Sequence, residues 1–336
     1  MNILEVKGLK TYFFTRRGIV KAVDNLSFDL KKGEVLCLVG ESGSGKTVSA
    51  LSILGLLEPP GRVMEGEVML DGEELRQYTP EQLRRIRGKR IAMIFQDPKE
   101  SLNPVLTIGE QIMEPMKLHL NLSDKEAKEK ALGLLERVGI PNAQVRLFSY
   151  PHEFSGGMNQ RVMIAMALGC DPEILIADEP TSALDVTTQS IFLELLMELR
   201  RERGMSMIFI THDLGIVAEI ADRVVVMYAG KVMEKADVWG IFENPRHPYT
   251  IGLLNSLPDV TKKKKLVPIP GQIPSLIAPP TGCVFHTRCR FAQDICSKVV
   301  PPEAKVEGEH FSACLFWDSE EVIKASKEVG VEQQAS

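Results

Sequence analysis

Short apolar runs punctuate the chain at 35–39, 91–95, 174–177, 207–210 and 224–227, and several are separated by stretches where apolar residues return every three or four positions. That alternation predicts an α/β fold. The run at 174–177 has no polar position, so neither of its faces can look at water. It is therefore expected to be a parallel strand covered on both sides and central in its sheet.

Between Gln96 and Arg161 the strand pattern lapses. Ser123 and Glu126 form a capping box ahead of Ala127, Ala131, Leu135 and Val138, one face of a helix that Gly139-Ile140-Pro141 stops. This predicts an inserted helical subdomain. A second long helix is expected from Thr187 to Arg203, with Ile191, Leu195 and Leu199 on one face and Gly204 as its end. After Gly240 the chain turns proline-rich and irregular, with a lysine run at 262–265 read as a solvated loop and a polar tail from Asp318 read as frayed. The expected division is a nucleotide-binding α/β core at 1–96 and 165–240, a helical subdomain at 97–164 and a C-terminal extension at 241–336.

Composition narrows the function. A 44% apolar and 25% charged chain of 336 residues is that of a folded globular protein. Its net charge of -5 offers no basic footprint for nucleic acid. The apolar stretches at 48–57 and 162–170 fall short of the roughly 20 residues that cross a bilayer. The first eight residues, with Glu5 and Lys7 among them, lack the look of a secretory signal. A cytoplasmic protein that meets a membrane only through partners is the expectation.

Chemistry concentrates in a few motifs. Gly40-Glu41-Ser42-Gly43-Ser44-Gly45-Lys46-Thr47 is a complete phosphate-binding loop, placed between an apolar strand and a helix. Its glycines let backbone N–H groups turn toward phosphates, Lys46 adds charge, and the Thr47 hydroxyl can ligate magnesium. Asp178 and Glu179 end the buried strand: Asp178 suits magnesium, and Glu179 suits the orientation of an attacking water. Ser155-Gly156-Gly157 stands at the start of a helix, a natural anion site.

In this order the motifs resemble those of ABC-transporter ATPases over residues 9–233. The resemblance implies ATP and Mg2+ as ligands, Phe154–Gln160 as the signature motif, and Gln96 in Ile94-Phe95-Gln96-Asp97-Pro98 as a further nucleotide and magnesium contact. It also implies a loop at Ser182-Ala183-Leu184-Asp185, His212 as the switch histidine, and an adenine-stacking aromatic at Tyr12 or Phe13. The signature reads Phe-Ser-Gly-Gly-Met, with Phe154 and Met158 where the family more often has leucine and glutamine. The implied partners are a second cassette, with each ATP shared between two chains, two membrane permease subunits whose contact is expected at 97–104, and indirectly a solute-binding protein.

The C-terminal stretch Asn244-Pro245-Arg246-His247-Pro248-Tyr249-Thr250 and Leu253–Pro258 resembles the extension of ATPases that serve oligopeptide, dipeptide and nickel importers, the dipeptide type above all. Four cysteines cluster there, Cys283, Cys289, Cys296 and Cys314, without a Cys-x2-Cys pair. Four thiolates suit a zinc site or an iron–sulfur cluster, and the wide spacing favours the cluster. The dipeptide-importer resemblance likewise points to 4Fe-4S, with zinc second. Two readings compete with the transporter motor: a cassette ATPase of DNA repair or translation, which would show a coiled-coil insertion or tandem cassettes, and an ATP-regulated iron–sulfur redox sensor.

Overall fold

A computed structural model describes residues 1–97, 101–182, 184–257 and 268–333. Pro98, Ala183, Pro258 and the lysine run at 262–265 lie outside the described residues. The chain opens with β1 (Asn2–Thr15), β2 (Gly18–Lys31), β3 (Val35–Val39), α1 (Lys46–Leu54), β4 (Gly61–Leu70), β5 (Glu73–Glu74), α2 (Pro80–Ile86) and β6 (Ile91–Ile94). It continues through α3 (Ile108–Leu120), α4 (Asp124–Arg137), α5 (Ala143–Arg146), α6 (Gly156–Ala167), β7 (Ile174–Asp178), α7 (Val186–Arg203) and β8 (Ser206–Thr211). It ends with α8 (Leu214–Ile220), β9 (Arg223–Tyr228), β10 (Lys231–Asp237), α9 (Val238–Glu243), α10 (Pro248–Asn255), β11 (Ala304–Glu307), β12 (His310–Ser312) and α11 (Glu320–Gln333). None of the described helices is long and apolar enough to cross a membrane.

By its contacts the chain divides into two compact units, Leu30–Glu34 with Gln77–Ile210, and Asn2–Asp29 with Val35–Arg76 and Thr211–Ser336. In the first unit β6 and β8 flank β7, all parallel. Every residue of β7 is buried, as its unbroken apolar run predicts. Helices α3, α4 and α6 pack on one another, and α6 also packs on β6. Capping boxes open α2, α3 and α4, through Thr79 and Gln82, Thr107 and Glu110, and Ser123 and Glu126. Helix α7 ends on Gly204 in the left-handed region. Its buried face, however, is Phe192, Leu193, Leu196 and Leu199, while Ile191 is exposed. A strict four-residue step drifts off a 3.6-residue period, and that moved the expected stripe off the buried arc.

In the second unit β1 lies between β2 and β4, and β1 pairs antiparallel with β4 over the length from Leu4 to Phe13. Strand β3 runs parallel to β9, β10 pairs antiparallel with β9, and β12 and β11 extend the edge beyond β10. Residues 318–333 do not fray. Val322, Ala325, Ser326 and Val329 recur at helical spacing and are buried as α11 packs on α9 and α10.

Candidate functional site

The phosphate loop leaves β3 and enters α1 through three left-handed glycines, Gly40, Gly43 and Gly45 (φ 151°, 78° and 102°). Two of them are also sterically obligatory. A Cβ on Gly40 would stand 2.1 Å from the Met227 carbonyl oxygen, and one on Gly45 would stand 2.4 Å from that of Ala22. Ser42 and Gly43 are exposed at the tip, and Thr47 is exposed in the first turn of α1, while Ser44 and Lys46 are buried. Lys46 Nζ donates to the carbonyl oxygens of Gly40 (2.7 Å) and Glu41 (3.2 Å), so its ammonium lies across the loop. The loop therefore offers a curled backbone, a fixed cation and an accessible hydroxyl, the parts a polyphosphate with magnesium requires.

Glu41 within the loop is held at every polar group. Its N–H donates to Tyr249 Oη (3.0 Å), its carbonyl accepts from Ser44 N–H (3.2 Å) as well as from Lys46, and its carboxylate takes two hydrogen bonds from Arg288 (2.7 and 3.1 Å). Sequence reasoning missed Glu41 and Arg288 as parts of the site. The motif leaves position 41 unspecified, and Arg288 lies 247 residues away.

Tyr12 and Phe13 share the loop's unit and sit on opposite faces of β1, as neighbours in a strand must. The Tyr12 hydroxyl donates to Asp24 (3.0 Å), two residues from the Ala22 that abuts Gly45. Burial pushes the Tyr12 phenol up to about 12, and the Asp24 hydrogen bond adds to this, so the phenol stays protonated. Phe13 packs on Gly61 at the far end of β4. His212 is exposed between β8 and Asp213, whose carboxylate caps α8 at Gly215 N–H (2.8 Å).

The first unit carries the remaining residues. Asp178 is buried at the end of β7, and Glu179 follows in the left-handed region (φ 42°), with its N–H donating to the Ile210 carbonyl (2.9 Å). This strained backbone turns the Glu179 side chain out of the strand. The Gln96 side-chain amide donates to Glu179 Oε2 (3.3 Å), which brings together two residues far apart in sequence. Ser155 caps α6, accepting from Met158 N–H (3.3 Å), so this hydroxyl and the amides of Gly156 and Gly157 stand at one helix N-terminus. The helix starts at Gly156, directly after the capping serine. Phe154 is buried beneath the Arg146 guanidinium, a packing role for this departure from the family pattern. Asp185 caps α7 by accepting from Thr188 N–H (3.1 Å) and Thr188 Oγ1 (2.7 Å); these bonds hold its carboxyl below the usual range.

In the C-terminal extension Cys283, Cys289, Cys296 and Cys314 all line one pocket, with Phe285 and Phe291 among its other walls. Among the described residues no group of three or more His, Cys, Asp or Glu side chains is drawn together tightly enough to hold a metal ion. Burial pushes the thiols of Cys289 and Cys314 up to about 11 and about 12, and that of Cys283 upward as well.

Residues 23–182 match the ABC transporter family, and residues 233–296 match the oligopeptide/dipeptide transporter C-terminal region. A putative peptide import ATP-binding protein of Brucella melitensis is 52% identical over 94% of this chain and 97% of its own. The dipeptide transport ATP-binding protein of Escherichia coli is 47% identical over 94% and 97%. Among solved structures, a dimeric ATP-binding cassette in a post-hydrolysis state bound to ADP and Pi is 29% identical, with a TM-score of 0.63 over 70% of this chain and 98% of that one. CbiO1 of Clostridium perfringens, part of an ABC transporter complex, is 28% identical with a TM-score of 0.61, over 72% and 91%. Fold and phosphate loop together thus define a P-loop ATPase of the ATP-binding-cassette class. Within it, the chain belongs to the ATP-binding subunits of the peptide/dipeptide ABC importer family.

Proposed function

We propose that the chain is the ATP-hydrolysing motor of an importer for dipeptides or oligopeptides, seated on the inner face of the cell membrane through two permease subunits and fed by a solute-binding protein. The observation that carries the hydrolytic part is the phosphate loop, with Lys46 fixed across a glycine-curled backbone. The peptide class rests on the match of residues 233–296 and on the names of relatives about half identical to this chain. Nickel and other small solutes are the alternatives within the family.

In this reading the loop amides and Lys46 bind the ATP phosphates, Thr47, Asp178 and Gln96 hold magnesium directly or through water, and Tyr12 stacks on adenine. Tyr12 is preferred to Phe13 because its hydroxyl is anchored beside the segment that abuts Gly45. Glu179, its carboxylate steadied by Gln96, orients a water that attacks the γ-phosphorus while the bond to the bridging oxygen breaks. Phosphate and ADP leave, and the water's proton passes toward Glu179. His212 and Asp185 complete the site. Ser155, Gly156 and Gly157 serve the ATP of a second cassette, since the α6 N-terminus offers donors for a phosphate.

The four cysteines fit a thiolate-held group in one respect, the single largely apolar pocket they share. Among the described residues they are not gathered round an ion, and the 4Fe-4S reading, with zinc second, rests on the wide cysteine spacing without a Cys-x2-Cys pair. When bound, the cluster would supply iron–thiolate bonds that staple the extension, a structural part rather than a redox one. The experiment for the motor is Mg-dependent ATP turnover by the full transporter. Lys46→Ala should lose ATP binding, whereas Glu179→Gln should keep it and lose turnover by about a hundredfold or more. Near-normal turnover with Glu179→Gln would remove that residue from water activation.

A further inference from the structure

We infer that Arg288 and Tyr249, both in the C-terminal extension, are positioning residues of the phosphate loop that set its affinity for ATP. The proposal rests on the reading of the loop as an ATP site and adds residues that no loop motif contains.

Arg288 is almost fully buried, its side chain 4% exposed. All five of its N–H donors have acceptors: Nε gives to the Pro270 carbonyl (2.8 Å), Nη1 to Glu41 (2.7 Å) and the Tyr228 hydroxyl (3.3 Å), and Nη2 to Glu41 (3.1 Å) and the Ile269 carbonyl (3.4 Å). A guanidinium satisfied this completely cannot swing, and its bidentate grip fixes the plane of the Glu41 carboxylate. Tyr249 acts on the same residue from the backbone side, accepting the Glu41 N–H. Its ring is wedged against Tyr228 (4.7 Å) and Phe285 (5.2 Å), so the hydroxyl is rigid too.

What Glu41 does with this anchorage reaches the cation of the site. Its carbonyl receives Lys46 Nζ, as that of Gly40 does, and the same oxygen receives Ser44 N–H. Displacing Glu41 therefore moves the acceptor that aims Lys46. Charge adds a second effect. A carboxylate one residue after Gly40 repels a polyphosphate bound by the loop, and the buried Arg288 cancels that repulsion at close range. Removing the arginine leaves an unpaired acid beside the phosphates.

The test is equilibrium binding of ATP to the full chain, with ATP turnover by the assembled transporter split into kcat and KM, for Arg288→Met, Glu41→Gln/Arg288→Met and Tyr249→Phe. Arg288→Met should weaken ATP binding about tenfold or more and raise KM in step, with kcat within about threefold, as expected when a contact equal in ground and transition states is lost. The double variant should recover part of the binding, because the carboxylate that Arg288 neutralises is gone while the grip on the loop stays lost. Tyr249→Phe, which keeps the ring, should weaken ATP binding about threefold. Where Arg288→Met fails to fold, Arg288→Lys serves: it keeps the charge without the fork and should give an intermediate loss that Glu41→Gln does not relieve. Normal ATP affinity in both Arg288→Met and Tyr249→Phe, with only a lowered melting temperature, would overturn the proposal, as would a loss that Glu41→Gln fails to relieve in the methionine background. Lys46→Ala separates the two readings: unchanged ATP binding there would defeat the ATP site itself, whereas its loss beside normal binding by both Arg288→Met and Tyr249→Phe would defeat only the positioning role.

Discussion

Mild acid should loosen the C-terminal extension through one histidine. His247 is 1% exposed, and its Nδ1 accepts the Tyr249 N–H (3.0 Å) as the cap of α10. That bond places the ring proton on Nε2. Its own N–H and that of Arg246 donate to the buried Glu234, which also pairs with His310 Nε2 (2.7 Å). Protonating His247 would put a charge into this interior and destroy the acceptor that caps the helix, and burial accordingly pushes it down from 6.5 to about 3. The folded pKa lies below the unfolded one, so the unfolded chain takes the proton first as pH falls. Stability from the neutral ring is complete above about pH 6.5 and is lost as pH falls toward 3, at up to about 1.4 kcal/mol for each pH unit. At about pH 5 the loss is about 2 kcal/mol. The assay is denaturant unfolding of metal-free chain at about pH 7.5 and about pH 5, for the unaltered protein and for His247→Asn, whose side-chain oxygen can still cap Tyr249. Every other titrating group is common to both proteins, so the variant should lose about 2 kcal/mol less between the two pH values. Equal losses would show that His247 does not govern the response.

Three further outcomes bear on the extension. Anaerobically purified protein should be brown with about four irons and four sulfides per chain, and serine at Cys283, Cys289, Cys296 or Cys314 should bleach it; colourless protein with one zinc would refute the cluster. In the metal-free chain the raised thiol pKa values predict that alkylation of Cys289 keeps accelerating from about pH 9 to about pH 11, and a plateau near pH 9 would contradict the burial that raises them. Val322→Asp should cost about 3 kcal/mol or more in unfolding free energy, because Val322 is fully buried in α11; a change under about 0.5 kcal/mol would mean that α11 does not dock.

How far the fold could be read from the chain depended on whether each element buries one face or two. Strands β3, β7 and β8 are buried along their whole length, so they stand out as unbroken apolar runs. Strands β1, β2 and β4 expose part of one face and carry charged residues at alternate sites, such as Glu5 and Lys7, Asp29 and Lys31, and Glu65 and Glu67, a pattern that hides in a polar background. Helix α11 was hidden differently: its stripe is short and built partly from alanine and serine, and only docking against α9 and α10 reveals it. The α4 cap was legible because both of its partners lie within four residues.

The same distinction governs the site. Loop residues 40–47, Asp178 and Glu179 are bound to local geometry, a strand end or a glycine turn, and local geometry leaves a mark in sequence. The tie from Glu41 to Arg288 leaves none, because it depends on how distant segments pack. It was nevertheless posed as a question by the sequence. An acid inside a loop built to hold anions is a local conflict, and such a conflict persists only where a distant group resolves it. With 40 lysines and arginines in the chain, nothing local could say which one does so. The fold selects Arg288, which sits next to Cys289. The segment that holds the cysteine pocket is therefore also the segment that neutralises the phosphate loop, and the extension belongs to the nucleotide site rather than hanging from it.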